Sequence, residues 1–158
     1  MQPPARITQL IDPADLRRVH DLRFDILRKP MGLPYSSAVF AEDVQPTTTH
    51  YLALVEDELV GCVSLVESPE QRRTQLRGMA VRADHQNRGI GRLLLQHLQT
   101  PQLLQSTNLW CNARQAAVGF YERNGWVTVG DCFDIPHIGP HIKMEWRQLV
   151  STSLGDCG

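Results

Sequence analysis

The run Gln86-Asn87-Arg88-Gly89-Ile90-Gly91-Arg92 sets two glycines two residues apart between two arginines, just ahead of an apolar stripe with helical spacing. Such a stretch can bind an anion. Where a strand passes into a helix, the first backbone N–H groups lack helical partners, the helix dipole favours negative charge, and glycine lets the backbone approach closely. Arg88 and Arg92 add charge, although a glycine-containing turn with solvated arginines accounts for Gly-x-Gly equally well. Two common phosphate motifs fail on spacing. Leu94 stands where a dinucleotide fingerprint puts its third glycine, and no Gly-Lys-Ser/Thr follows. Tyr121 falls one helical turn after Ala117 at the edge of an apolar face, a place that suits an aromatic body inside and a hydroxyl in a cleft. Cys62, Cys111, Cys132 and Cys157 form no Cys-x-x-Cys pair, and Cys62 and Cys111 lie in apolar runs as small core residues do. His137 and His141 have metal-ligand spacing only on a helix, which Pro136, Gly139 and Pro140 exclude, so no metal is expected.

The elements that position these residues follow from period and punctuation. Arg6 to Ile11 alternates as a strand, Asp12-Pro13 starts a helix, and Leu16, Val19, Leu22 and Ile26 carry it until the prolines and glycine of 28–34 end it. Thr49 to Val55 and Leu59 to Val66 read as a hairpin joined by Glu56-Asp57-Glu58. Thr74 to Val81 is a fourth strand, with a bulge or close backbone approach expected at Gly78. Ile90, Leu93, Leu94, His97 and Leu98 form a helical stripe that Pro101 limits. Asn108 to Asn112 is a fifth strand, followed by a helix with Ala113, Ala116, Ala117 and Phe120 on one face and a stop at Asn124-Gly125. Trp126 to Phe133 and Ile142 to Leu149 are closing strands around a Pro136 to Pro140 turn. The order implies one α/β domain with a mixed sheet over residues 1–150 and a frayed tail at 151–158.

Length and composition agree. A chain of 158 residues suits one domain, and a net charge of -1 supplies no global field for nucleic acid, so any phosphate binding must be local. No stretch has signal-peptide character or the roughly 18 apolar residues of a membrane span, and a cytoplasmic protein is expected.

Leu76-Arg77-Gly78-Met79-Ala80-Val81 followed by His85-Gln86-Asn87-Arg88-Gly89-Ile90-Gly91-Arg92-Leu93-Leu94 resembles the acetyl-CoA signature of the GNAT superfamily of N-acetyltransferases, Gln/Arg-x-x-Gly-x-Gly/Ala after a strand. A second stretch, Ala113 to Trp126, resembles the family's Asn/Arg-x-x-Ala-x-x-Phe-Tyr-x-x-x-Gly-Phe segment, in the family's order. The resemblance implies a mixed, mostly antiparallel sheet of about seven strands flanked by helices and splayed between strands 4 and 5, with acetyl-CoA as acyl donor. The pantetheine arm would lie along Met79, Ala80 and Val81, the pyrophosphate on Gln86, Asn87, Arg88, Gly89, Ile90, Gly91 and Arg92, and Asn112 beside the arm. Asn112 reads equally as a cap for the following helix. A bulky residue at Gly89 or Gly91 is expected to weaken coenzyme A binding by filling the pyrophosphate's space.

By the same resemblance Tyr121 matches the tyrosine that protonates the departing thiolate. An N–H near Gly78 to Ala80 would face the thioester oxygen. Many members carry a glutamate in or beside the fourth strand as general base. Here Thr74 to Ala83 holds no acid, so a water chain, Asp134, Glu67 or His141 must serve, with His141 the first choice. Arg114 stands where many relatives have asparagine. The segment Leu22 to Pro34 should border the acceptor. A small-molecule amine, a peptide N-terminus and a lysine all fit its mixed charges. No nucleic-acid or membrane partner is expected, and a homodimer is allowed. A non-catalytic acyl-CoA-binding regulatory module is the alternative function, and a dinucleotide-binding enzyme a third.

Overall fold

A computed structural model of the chain describes residues 3–100 and 108–146. Seven strands form one sheet in the order β1-β2-β3-β4-β5-β7-β6. They are β1 (Arg6–Gln9), β2 (Thr48–Val55), β3 (Glu58–Ser68), β4 (Arg73–Val81), β5 (Asn108–Arg114), β6 (Trp126–Ile135) and β7 (Gly139–Trp146). All pairings are antiparallel except β4 with β5. Among the described residues three α-helices flank the sheet, α1 (Leu16–Arg23), α2 (Ile90–Leu98) and α3 (Val118–Arg123). The expected tail at 151–158, the last residues of the final strand and Pro101 lie outside the described residues.

Strand alternation distributes the apolar side chains between two cores. Tyr51 and Ala53 of β2 face one with Leu94, Leu95 and Leu98 of α2. Leu52, between them, faces the other with Val19 and Leu22 of α1. The helices therefore cover opposite faces. Gly61 of β3 is the seat of α2, because a Cβ there would lie 3.0 Å from Ile90 Cγ2 and 3.3 Å from Leu94 Cδ1.

Several elements differ in detail from their sequence signals. The first helix is a 3₁₀ turn at Pro13–Asp15, capped by the Asp12 carboxylate accepting from Ala14 N at 2.9 Å, then α1, then a π-helical turn at Phe24–Arg28. The hairpin turn is Glu56-Asp57 alone, both at positive φ (49° and 67°), and Glu58 already belongs to β3. The helix expected from Ala113 begins later. β7 pairs with β5 as far as Arg114 opposite His141, which holds Ala113 and Arg114 in the sheet until a 3₁₀ turn at Gln115–Ala117 leads into α3.

The bulge expected at Gly78 is present. Cys62 faces Ala80 and Ser64 faces Arg77, so Gly78 and Met79 both stand opposite Val63. This one extra residue switches the faces of β4: Leu76 packs in the α2 core, whereas Ala80, an even number of residues on, packs in the α1 core. Gly78 has φ +63°, and a Cβ would come within 2.6 Å of Arg23 Nε. Arg23 is fully buried and has little room to yield. Gly78→Ala is therefore expected to cost about 2–5 kcal/mol, from left-handed strain plus overpacking. Chemical denaturation measures it, and a loss under about 1 kcal/mol would show that the strand relaxes around a methyl group.

Candidate active site

Among the described residues β4 and β5 share three register pairs, Arg73 with Asn108, Thr74 with Leu109 and Gln75 with Trp110. Beyond Gln75 the strands part. Two cavities fill the opening and meet at Met79, which lines both.

The larger, about 950 Å³, lies between the end of β4, the start of α2 and α3. Met79, Ala80 and Val81 line it from the strand, Gln86, Asn87 and Gly89 from the loop, and Ile90, Gly91 and Arg92 from the first turn of α2. Asn87 (φ 62°) and Gly89 (φ 82°) have left-handed backbone, and Gly89 caps the start of α2. Arg88, between them, points elsewhere and lines a separate hollow beside Glu56, Glu58 and Asp84. Gln86 donates its amide N–H to the Val81 carbonyl at 3.0 Å, tying the loop to the strand end. Gly91 is held free of a side chain from within the fold, since a Cβ would lie 3.1 Å from Phe120 Cζ. Sequence reasoning missed Phe120, Arg123 and Asn124, which also line this cavity. Their spacing on α3 was legible, but only the fold shows that this end of α3 faces α2.

The smaller cavity, about 220 Å³, is lined by Gly78, Asn112, Tyr121 and His141. Asn112 thus faces this cavity and not the loop. Tyr121 is 6% exposed and packs edge-on against Phe120 and Trp126, with centroids at 5.3 and 5.1 Å. Its hydroxyl meets the Cys111 thiol. Burial, reinforced by that thiol, raises the Tyr121 hydroxyl well above its ordinary 10.0, and burial pushes Cys111 up to about 12 against the pull of Tyr121. Both stay protonated at neutral pH. His141 is 5% exposed, and its Nδ1 lies 2.8 Å from the Gly139 carbonyl. A carbonyl only accepts, so Nδ1 carries a proton, and Nε2 is the nitrogen that can accept one when the ring is neutral. Of the side chains considered as base, Asp134 and Glu67 are exposed and outside this cavity, and His141 lines it.

The same cavity also has a cationic lining. Arg28, Arg77 and Arg114 line it with Phe40. The Phe40 ring has Arg23 Cζ at 4.1 Å, Arg77 Cζ at 4.3 Å and Arg28 Cζ at 5.8 Å from its centroid. Arg28 and Leu27 belong to the segment expected to border the acceptor. Arg77 and Arg114 come from the parting ends of β4 and β5. Behind the wall, Arg23 forms a bidentate pair with Asp43 at 2.7 and 2.9 Å and donates to Ser64 Oγ at 2.7 Å. Ser64 must then donate to His50 Nδ1, at 2.6 Å, while His50 Nε2 donates to the Asp43 carbonyl at 2.9 Å.

Among the described residues no group of three His, Cys, Asp or Glu side chains could hold a metal, and no helix is long and apolar enough to cross a membrane.

A family model described as "Acetyltransferase (GNAT) domain" matches residues 46–128. The chain is 30% identical over 132 residues to the uncharacterized N-acetyltransferase YitI of Bacillus subtilis, covering 79% of this chain and 87% of that protein. Its fold is similar to that of Escherichia coli ElaA, with TM-score 0.80 at 19% identity over 91% of this chain and 100% of the other. An aminoglycoside 6'-N-acetyltransferase crystallised with coenzyme A shares the fold at TM-score 0.71 and 19% identity, over 89% and 95% of the two chains.

Proposed function

The chain belongs to the GNAT acetyltransferases, and from that premise we propose that it transfers the acetyl group of acetyl-coenzyme A to the amine of a small molecule or peptide. The observation that carries this reading is that the two cavities adjoin, with Met79 and Ala117 in the walls of both, which sets the glycine loop beside a compartment holding Tyr121 and His141. The loop, with Arg92 and Arg123, suits the pyrophosphate. The arm runs past Ala80 and Met79, and the thioester reaches the bulge at Gly78.

The amine nitrogen attacks the thioester carbon, forming the C–N bond as charge moves to oxygen. His141 Nε2 takes the proton that the nitrogen loses. Collapse breaks the C–S bond, and the electron pair leaves with sulfur, which accepts a hydrogen bond from Tyr121. Amide and free thiol are the products. Tyr121, raised well above 10, holds its proton more tightly than an ordinary thiol near 8.5, so it stabilises the thiolate by donation and the final proton arrives from solvent.

Thiol release matched by formation of an acetylated amine is the expected result with purified protein, acetyl-CoA and an amine panel. A protein that binds acetyl-CoA and leaves it intact with every amine class is instead a regulatory acyl-CoA-binding module. With an acceptor found, His141→Ala is expected to lower kcat about 10²-fold at a pH where the amine is protonated, with the deficit narrowing above the amine's own pKa. A loss equal at all pH values would make His141 a positioning residue.

A further inference from the structure

Among the described residues the cavity beside Tyr121 and His141 has no Asp or Glu in its lining, yet Arg28, Arg77 and Arg114 converge on it and Arg23 stands behind. Two carboxylates serve these four guanidiniums. Asp43 is taken by Arg23 at 2.7 Å and Glu42 by Arg77 at 2.9 Å. Among the described residues Arg28 and Arg114 have no carboxylate. Both are held by main-chain carbonyls instead: Arg114 Nη2 donates to Leu27 O at 2.6 Å, and Arg28 Nη1 donates to the same oxygen at 3.4 Å. Arg28 Nε also donates to Ser37 O at 3.2 Å. The carbonyl they share lies within the π-helical turn Phe24–Arg28, a distortion that recurs at functional sites. Two cations drawn onto one carbonyl repel each other. Burial, then Arg114, Arg77 and Arg23 in that order, lowers Arg28, and burial lowers Arg114, but arginine remains charged at any working pH. An anion between them relieves both the repulsion and the missing partners.

We infer that the acceptor is a small amine carrying a carboxylate, an amino-acid-like molecule, whose carboxylate is held by Arg28 and Arg114 while its amine faces His141. The inference rests on the acetyltransfer proposed above and narrows it. A planar carboxylate accepts paired N–H groups from guanidinium, and about 220 Å³ is small even beside ordinary ligand cavities of about 300–1,000 Å³. Polyamines and lysines in basic peptides bring further positive charge to the cationic wall and are disfavoured.

The test pairs amino acids with their decarboxylated amines, adds spermidine and an amino-sugar phosphate, and uses the full chain with acetyl-CoA. Rates are compared per free-base amine. The carboxylated member of a pair is expected to have kcat/KM at least about 10²-fold higher. Arg114→Gln and, separately, Arg28→Gln are expected to raise its KM about 10-fold or more. The rate with the decarboxylated partner should stay level or rise, and coenzyme A affinity should stay within threefold. Coenzyme A titration confirms that each variant is folded, and Arg114 lies outside the α1 core should Arg28→Gln fail. Titration of the same amino acids into the protein–coenzyme A complex reads binding without turnover. Binding of carboxylated amines with no acetylation would sink the acetyltransfer reading and leave the anion site standing. Acetylation of spermidine or decarboxylated amines as efficiently as amino acids would overturn the anion site and leave acetyltransfer standing. A preference for the amino-sugar phosphate would overturn the carboxylate in favour of a phosphate.

Discussion

Tyr121→Phe is expected to lower kcat by about 10²–10⁴-fold while leaving coenzyme A affinity within about threefold of wild type. A positioned donor or acid contributes about this factor, roughly 2.7–5.5 kcal/mol of barrier. The substitution keeps the ring that Phe120 and Trp126 hold edge-on, so the cavity wall survives. Only the hydroxyl goes. Its present neighbour is the Cys111 thiol, a weak partner that a charged sulfur leaving the thioester would displace. Threefold in affinity is less than about 1 kcal/mol, well below the kinetic loss. Steady-state kinetics and a coenzyme A titration supply both quantities. Full kcat in the variant would end the assignment of Tyr121 to the leaving group, and a large loss of affinity would make it a binding residue.

Asp43→Ala is expected to destabilise the protein by about 3–5 kcal/mol, the cost of leaving a buried charge without its partner. Arg23 is fully buried, and the Asp43 side chain also accepts from Phe40 N at 2.9 Å and lies 2.9 Å from His20 Nε2. Against a typical total of about 5–15 kcal/mol the loss is severe, and it should lower Tm by roughly 6–20 °C. Replacing the pair with apolar residues, Arg23→Met with Asp43→Leu, should recover much of it. A loss below about 1 kcal/mol in the single variant would show that Arg23 finds another anion or water.

The same network sets an acid limit. Burial alone would raise the Asp43 carboxyl, but the Arg23 hydrogen bonds and charge, the Phe40 N–H and His20 outweigh it, and its pKa lies below the ordinary 3.8. Its stabilisation is complete above that value and disappears as pH falls through the lowered one, so the deficit of Asp43→Ala should shrink there. His50 is lowered from 6.5, chiefly by burial and despite Asp43, so its neutral form is the one that fits. That contribution declines as pH falls below about 6.5. Urea melts across this range therefore show an earlier softening before the carboxylate step.

The order of strands and helices was legible because each apolar run repeats at two or at 3.6 residues and glycine or proline marks its ends. Gly78 and Gly89 announced themselves because left-handed backbone leaves few other residue choices. The arginine wall was not legible. Arg23 reads as one more charge on a short amphipathic helix, and nothing near it in sequence shows that Asp43, 20 residues later, will bury it. Arg114 and Leu27 are 87 residues apart, and their contact exists only because the splayed strand ends face the π-helical turn. Ala113 was misread as helical because an alanine-rich face satisfies helical spacing, while β7, the partner that holds it in the sheet, follows later in the chain. Arg88 shows the same limit: it stands between left-handed Asn87 and Gly89 and lines a different hollow from the loop cavity.

The bulge in β4 makes that strand a counted segment. Substitutions before or after Gly78 alter one side chain, but removing either Gly78 or Met79 abolishes the bulge while the pairing on both sides of it stays in register. Ala80 would stay opposite Cys62 in the α1 core, but the ladder would regain a regular register at the place where the proposed thioester site has an irregular one. A more regular sheet would be a protein without its reaction centre. In related chains the length of this strand should therefore be held more strictly than its composition.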